Sequence, residues 1–171
     1  MTLIFPGSFD PVTMGHVSIA RRAAKFADRL IVAVLENPNK NPLFSVAERT
    51  AFLKDALRDV KNLEIESFCG LLADYAQLKG ADAILRGLRN SGDFEREAPY
   101  AAYNSRLSET EIETIFLPAA PQFAHVSSSI IKEAAAHMNE DRFGFTFLAE
   151  QLPPAARAAM QERMKSHGCT T

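Results

Sequence analysis

Residues 30–35 read Leu-Ile-Val-Ala-Val-Leu, an apolar run with no polar alternation. A strand with one wet face alternates, so a run of this kind fits a strand covered on both faces, as in the interior of a parallel sheet. Four more short apolar runs, Leu3–Phe5, Leu63–Phe68, Ala83–Leu85 and Ile112–Leu117, read as its companions. Between them lie helical patterns. Ser45-Val46-Ala47-Glu48 is a capping box, and Val46, Phe52, Leu53, Ala56, Leu57 and Val60 follow as one apolar stripe. Lys79-Gly80 closes the next helix, and Pro153-Pro154 opens a last one over Ala155–Lys165. This alternation predicts an α/β architecture: a doubly wound five-stranded parallel sheet with C-terminal helices. The 171 residues are expected to form a single domain, a core over 1–137 and a tail over 138–171, with 138–147 showing no readable pattern.

The charge balance, 19 basic against 21 acidic residues, gives a formal −2 and argues against a nucleic-acid partner. No apolar stretch nears the ~20 residues needed to cross a bilayer, and the start lacks the basic and apolar segments of a signal peptide, so a cytoplasmic protein without a membrane partner is expected. The two cysteines, Cys69 and Cys169, stand far apart and predict neither a disulfide framework nor a zinc site.

Ligands of doubly wound sheets sit beyond the carboxyl ends of the strands, so the loops there carry the chemistry. The first reads Pro6-Gly7-Ser8-Phe9-Asp10-Pro11-Val12-Thr13-Met14-Gly15-His16. Thr13 is a natural N-cap and places His16 in the first helical turn, where free N–H groups and the dipole favour an anion. Gly7 and Gly15 are expected to let a phosphate approach the backbone. Asp10 reads as a turn residue, not as a partner of His16 in a nucleophilic triad. No Gly-Lys-Ser/Thr follows, and no Gly-x-Gly-x-x-Gly is present, so neither a Walker loop nor a dinucleotide fingerprint is encoded. Past the fourth strand, Arg86-Gly87-Leu88-Arg89 offers two planar forks suited to phosphate, with Asp93, Glu95 and Glu97 close behind as the acids that could neutralise them. Ser127-Ser128-Ser129 opens a further helix, either as caps or as a phosphate cradle. Lys40 lies in a proline-punctuated loop after the second strand.

Thr13-Met14-Gly15-His16 resembles the T/H-x-G-H signature of the nucleotidylyltransferase superfamily. Taken with Pro6-Gly7-Ser8-Phe9-Asp10-Pro11, Lys40, Glu48-Arg49, Arg86-Gly87-Leu88-Arg89, Asp93-Phe94-Glu95, Glu97, Asn104 and Ser127-Ser128-Ser129 with Lys132, the chain from Leu3 to Ala136 is similar to the bacterial phosphopantetheine adenylyltransferases. The resemblance implies a Rossmann-like nucleotidylyltransferase fold and transfer of the adenylyl group of ATP to 4′-phosphopantetheine with Mg²⁺. It implies ATP binding by Ser8, Phe9, His16, Gly87, Leu88, Arg89, Glu97 and the segment Phe123, Ala124, His125, Val126, Ser127, Ser128 and Ser129. Ser8, Lys40, Leu72 and Arg86 would take the acceptor, and His16, Lys40 and Arg89 would be catalytic, with Mg²⁺ carried mainly on substrate phosphates rather than by a protein metal site. A homohexamer and feedback inhibition by coenzyme A are implied as well. Met14, Ala47 and His125 depart from the pattern, and the match fades past His137.

An acceptor that is already an anionic phosphate needs no general base. The task is to hold two repelling polyanions together and to stabilise charge during in-line displacement. His16 is expected to be neutral and to donate to the α-phosphate. A relative using nicotinamide mononucleotide, a non-catalytic nucleotide sensor and a purely structural subunit remain the alternatives.

Overall fold

A computed structural model describes residues 1–37, 41–137 and 143–166. The apolar run is an interior strand: β2 (Arg29–Leu35) pairs in parallel with β1 (Thr2–Gly7) on one side and β3 (Leu63–Phe68) on the other. β4 (Ala83–Leu88) lies along the free side of β1, and β5 (Glu113–Pro118) along β4, giving the order β3-β2-β1-β4-β5. Period-two geometry divides the apolar side chains between two cores. Leu3, Phe5, Leu30, Val32, Val34 and Leu85 face one side; Ile4, Ile31, Ala33 and Ile84 face the other.

Helices cover both faces. On the first side pack α1 (Met14–Ala23), through Val17, Ile19 and Ala20, and α2 (Val46–Ala56), through Phe52 and Leu53. On the second side α3 (Leu72–Leu78) contributes Tyr75 and Ala76, and α4 (Ser91–Leu107) lies against α3, β4 and β5. α5 (Ser128–His137) follows β5 and a 3₁₀ turn at Pro121–Phe123; α6 (Phe143–Glu150) and α7 (Pro154–Ser166) complete the described chain. Leu152, Ala156 and Met160 belong to the first core, so the last helix is part of the main packing.

Two differences from the sequence reading matter for the site. β4 runs three residues beyond Leu85, so Arg86, Gly87 and Leu88 are strand residues paired with Phe116, Leu117 and Pro118. α4 has no counterpart in the apolar pattern: the residue it buries is Asp93, not an apolar stripe, and Pro99 sits inside it. Its start is fixed by Asn90, whose side-chain oxygen accepts the Asp93 amide at 2.9 Å.

The chain winds outward from β1 through β2 to β3, then returns to place β4 on the opposite side of β1. The crevice expected at such a switch in strand order opens here between the carboxyl ends of β1 and β4.

Candidate active site

That crevice is a cleft of about 420 Å³. Its wall brings together Ser8, Phe9, His16, Arg86, Gly87, Arg89, Glu97, Phe123, Val126, Ser127, Ser128 and Ser129, drawn from β1, α1, β4, α4 and α5. Leu88, Ala124, His125 and Leu72 stand outside it. Leu88 uses its carbonyl to accept the Ala119 amide at 2.6 Å. His125 is exposed and stacks on Phe147 of α6, ring centroids 5.6 Å apart. Leu72 opens α3 and packs against the second core. Lys40 lies outside the described residues, as does Cys169.

His16 is fixed by its own helix. Thr13 caps α1 by accepting the His16 amide at 3.3 Å, and the imidazole Nδ1 accepts the Thr13 amide at 3.1 Å in return. With Nδ1 used as an acceptor, the ring proton belongs on Nε2. Burial, and then the Arg89 charge, push its pKa down to about 4. Phe9 meets the ring edge-on at 5.1 Å. The group presented here is therefore a neutral, oriented N–H donor.

The glycines divide. A Cβ on Gly7 would stand 3.0–3.2 Å from three atoms of the Phe9 ring, so packing by itself disfavours a side chain there. Phe9 itself is buried, with φ of 48°. A Cβ on Gly15 would meet only Thr13 Oγ1 at 3.4 Å and Phe123 Cβ at 3.5 Å, ordinary contacts that leave the protein no reason of its own for glycine there.

The arginines are balanced as their sequence neighbours suggested, yet they still face the cleft. Arg89 grips Asp93 with Nε and Nη2, both at 2.8 Å, and its amide adds a bond of 2.9 Å to the same carboxylate. Those bonds hold the Asp93 carboxyl down at about 2. Arg96 shares Asp93 from the outer side. Arg86 pairs with Glu97 at 3.2 Å; burial lowers its pKa from the ordinary value while the Glu97 charge opposes that. Arg96 and Tyr100 also line the cleft and were not singled out in the sequence. The spacing Asp93, Arg96, Glu97, Tyr100 is one helical stripe, legible once α4 is known to be a helix.

Asp10 is more than a turn residue. It is 4 % exposed; its carboxylate accepts the Leu43 amide at 3.0 Å and the Phe44 amide at 2.9 Å, and pairs with Lys132 of α5 at 2.9 Å. Nearby, buried Arg49 donates to the carbonyls of Ser8 (2.6 Å) and Leu35 (3.2 Å). Among the described residues no three His, Cys, Asp or Glu side chains gather into a metal-ligand set.

A neutral donor, paired arginines and a serine-capped helix end, all at the switch of a parallel sheet, define a site for phosphate esters on a nucleotidyltransferase-type fold. Residues 4–134 match the cytidylyltransferase-like family model, and the fold is shared with a proposed nicotinate-nucleotide adenylyltransferase from Vibrio parahaemolyticus (TM-score 0.60, 15% identity, 98% of this chain and 96% of that one). The chain belongs to the phosphopantetheine adenylyltransferase family. It is 45% identical over 162 residues to the phosphopantetheine adenylyltransferase of Caldanaerobacter subterraneus (95% of this chain, 96% of that protein). It is 46% identical over 167 residues to that of Desulfatibacillum aliphaticivorans (98% and 91%).

Proposed function

We propose that the chain transfers the adenylyl group of ATP to 4′-phosphopantetheine, releasing pyrophosphate and dephospho-coenzyme A. The observation that carries this reading is the family identity, which runs through 95–98% of the chain in those two relatives. The cleft supports it, because its groups suit the transfer of a phosphoryl-type centre between two anions.

The acceptor phosphate attacks the α-phosphate as it stands, so no side chain has to remove a proton. Arg86 at the end of β4, with Ser8 across the cleft, would hold the acceptor; Lys40 and Leu72 are assigned to it by the family resemblance. Arg89 and the N-terminus of α5 would hold the leaving pyrophosphate. The Nε2–H of His16 would donate to an α-phosphate oxygen as charge moves there, a preorganised electrostatic role. Both cleft carboxylates near the arginines are engaged by them, which supports Mg²⁺ entering on the nucleotide phosphates with its waters. Binding of coenzyme A, which carries the same pantetheine arm, a homohexameric assembly and a cytoplasmic location belong to the same reading. Tyr100, Tyr103 and Leu107 are exposed at helical spacing on α4 and give an assembly apolar surface to cover.

The test is pyrophosphate release from ATP with phosphopantetheine set against nicotinamide mononucleotide. Release that depends on phosphopantetheine is expected; release with nicotinamide mononucleotide alone would overturn the assignment. Labelled pyrophosphate should not exchange into ATP without acceptor, since among the described residues no base is hydrogen-bonded to the Ser8 hydroxyl to make it a nucleophile.

A further inference from the structure

Asp10, 4 % exposed, is a buried carboxylate beside the cleft that does not line it. It follows Ser8 by two residues and meets three donors that come from two other segments. The Leu43 and Phe44 amides belong to the β2–α2 loop; the Lys132 ammonium belongs to the second turn of α5. One turn earlier on the same helix, Ser128 Oγ donates to the Pro11 carbonyl at 2.8 Å. Residues 8–11 are thus bonded on one side to α2 and its loop, through Arg49 and through the Leu43 and Phe44 amides. On the other side they are bonded to α5. Among the described residues, buried Asp10 is the side chain of this segment with bonds in both directions.

We propose that Asp10 is a positioning residue for adenylyl transfer: it fixes the separation between the Ser8 side of the cleft, where the acceptor phosphate binds, and the N-terminus of α5, where the leaving phosphates bind. This rests on the function proposed above. In-line displacement needs reacting atoms about 3–3.5 Å apart, and a misplacement of about 1 Å costs on the order of 10²-fold in rate. Two mutually repelling anions push their subsites apart, so the frame between them has to resist. A carboxylate with three donors suits that task, because charge-assisted bonds are short and stiff. Asn in its place keeps the volume but offers one acceptor oxygen. Oδ2 takes both the Leu43 amide and Lys132 while Oδ1 takes the Phe44 amide, so the NH₂ must face either that shared pair or the Phe44 amide, donor against donor; at least one tie to the β2–α2 loop breaks, and the Lys132 bond loses its charge partner.

The experiment compares Asp10→Asn, Lys132→Met and Lys132→Arg in the full chain. It measures kcat, the Kd of ATP and of phosphopantetheine each alone, and Tm. For Asp10→Asn a kcat loss of roughly 10–100-fold is expected, with each separate Kd changed by less than about threefold, because each half-site survives and only their spacing is lost. Lys132→Met should lose about 3–10-fold in kcat, again without weakening ATP, and Lys132→Arg should recover most of it by restoring a donor to Asp10. A normal kcat with a lowered Tm would make Asp10 a packing residue and overturn the proposal. An ATP Kd that rises in step with the kcat loss of Lys132→Met would make Lys132 a direct phosphate ligand, and would overturn it equally. If Asp10→Asn does not fold, the two Lys132 variants decide by the same criteria. The wild type run alongside separates the claims: no phosphopantetheine-dependent release there sinks the function, whereas an active wild type with full-speed variants sinks only the positioning role.

Discussion

Two helices begin at the cleft, and they offer it opposite things. At α1 most of the main-chain donors are already spent: the Met14 amide donates to the Gln151 carbonyl at 2.8 Å, the His16 amide to Thr13 Oγ1 and the Val17 amide to the Thr13 carbonyl, which leaves the Gly15 amide at the cleft. Beside it α1 presents a side chain, the imidazole of His16. At α5 two of the three serine side chains are spent instead. Ser127 Oγ caps the Ile130 amide at 3.1 Å, and Ser128 Oγ reaches the Pro11 carbonyl, which leaves the Ser129 hydroxyl and the Ser128 and Ser129 amides for a ligand. A motif at a helix start therefore does not say which of its atoms meet the substrate. The capping bonds decide that, and they assign a directed donor to one end and a main-chain cradle to the other.

The contrast breaks most visibly at His16. His16→Ala should lower kcat by about 10²–10³, roughly 2.7–4 kcal/mol, with a much smaller change in ATP affinity. His125→Ala serves as control and should leave turnover near normal, since that ring stacks on Phe147 outside the cleft. Loss of Tm without loss of turnover in His16→Ala would reduce the imidazole to a cap. Next come the glycines. Gly7→Ala should destabilise by about 1–3 kcal/mol through overpacking against Phe9. Gly15→Ala should raise Tm slightly, by the ~0.5–1 kcal/mol of a helical Gly→Ala change, yet depress activity by putting a methyl into the cleft. Equal Tm losses in both would erase the distinction between them. Ser128→Ala removes one bond to Pro11 and should cost about 0.5–1.5 kcal/mol in thermal unfolding, with Ser129→Ala costing less stability and more ATP affinity.

The smallest effect is a missing one. His16 titrates at about 4 in the fold against an ordinary 6.5, so between those values the unfolded chain binds a proton that the folded chain refuses. Its contribution to stability is therefore full above pH 6.5 and is lost as pH falls towards 4. The kcat/KM profile should show no His16-dependent inflection near 6.5, and its His16-dependent acid limb should lie near 4. An inflection at 6.5 that disappears in His16→Ala would mean that the ring titrates freely and is not held by Thr13.

The sheet was readable because an interior parallel strand leaves an unmistakable apolar run, and β2 and β3 start and end within a residue of their patterns. α4 was not, because Asp93 is the residue it buries, so no apolar stripe marks a core-facing side, and because it carries Pro99; with it went the stripe that brings Arg96 and Tyr100 into the cleft. Local rules found the Thr13 cap and the paired arginines, since both partners lie within a few residues. They could not find that Asp10 serves Lys132, 122 residues away, or that Gly7 makes room for Phe9. Near in sequence, a turn-forming aspartate and a framework aspartate look alike; only distant donors tell them apart.

The bond from the Met14 amide to the Gln151 carbonyl joins the start of α1 to the junction between α6 and α7 using main-chain atoms at both ends. No side chain writes it, so ordinary substitutions at positions 14 and 151 leave it intact; proline at 14 would remove the donor. Met can therefore stand at 14, and the side chain at 151 can be exchanged, with the link between the first helix and the C-terminal segment kept: it is carried by the path of the backbone.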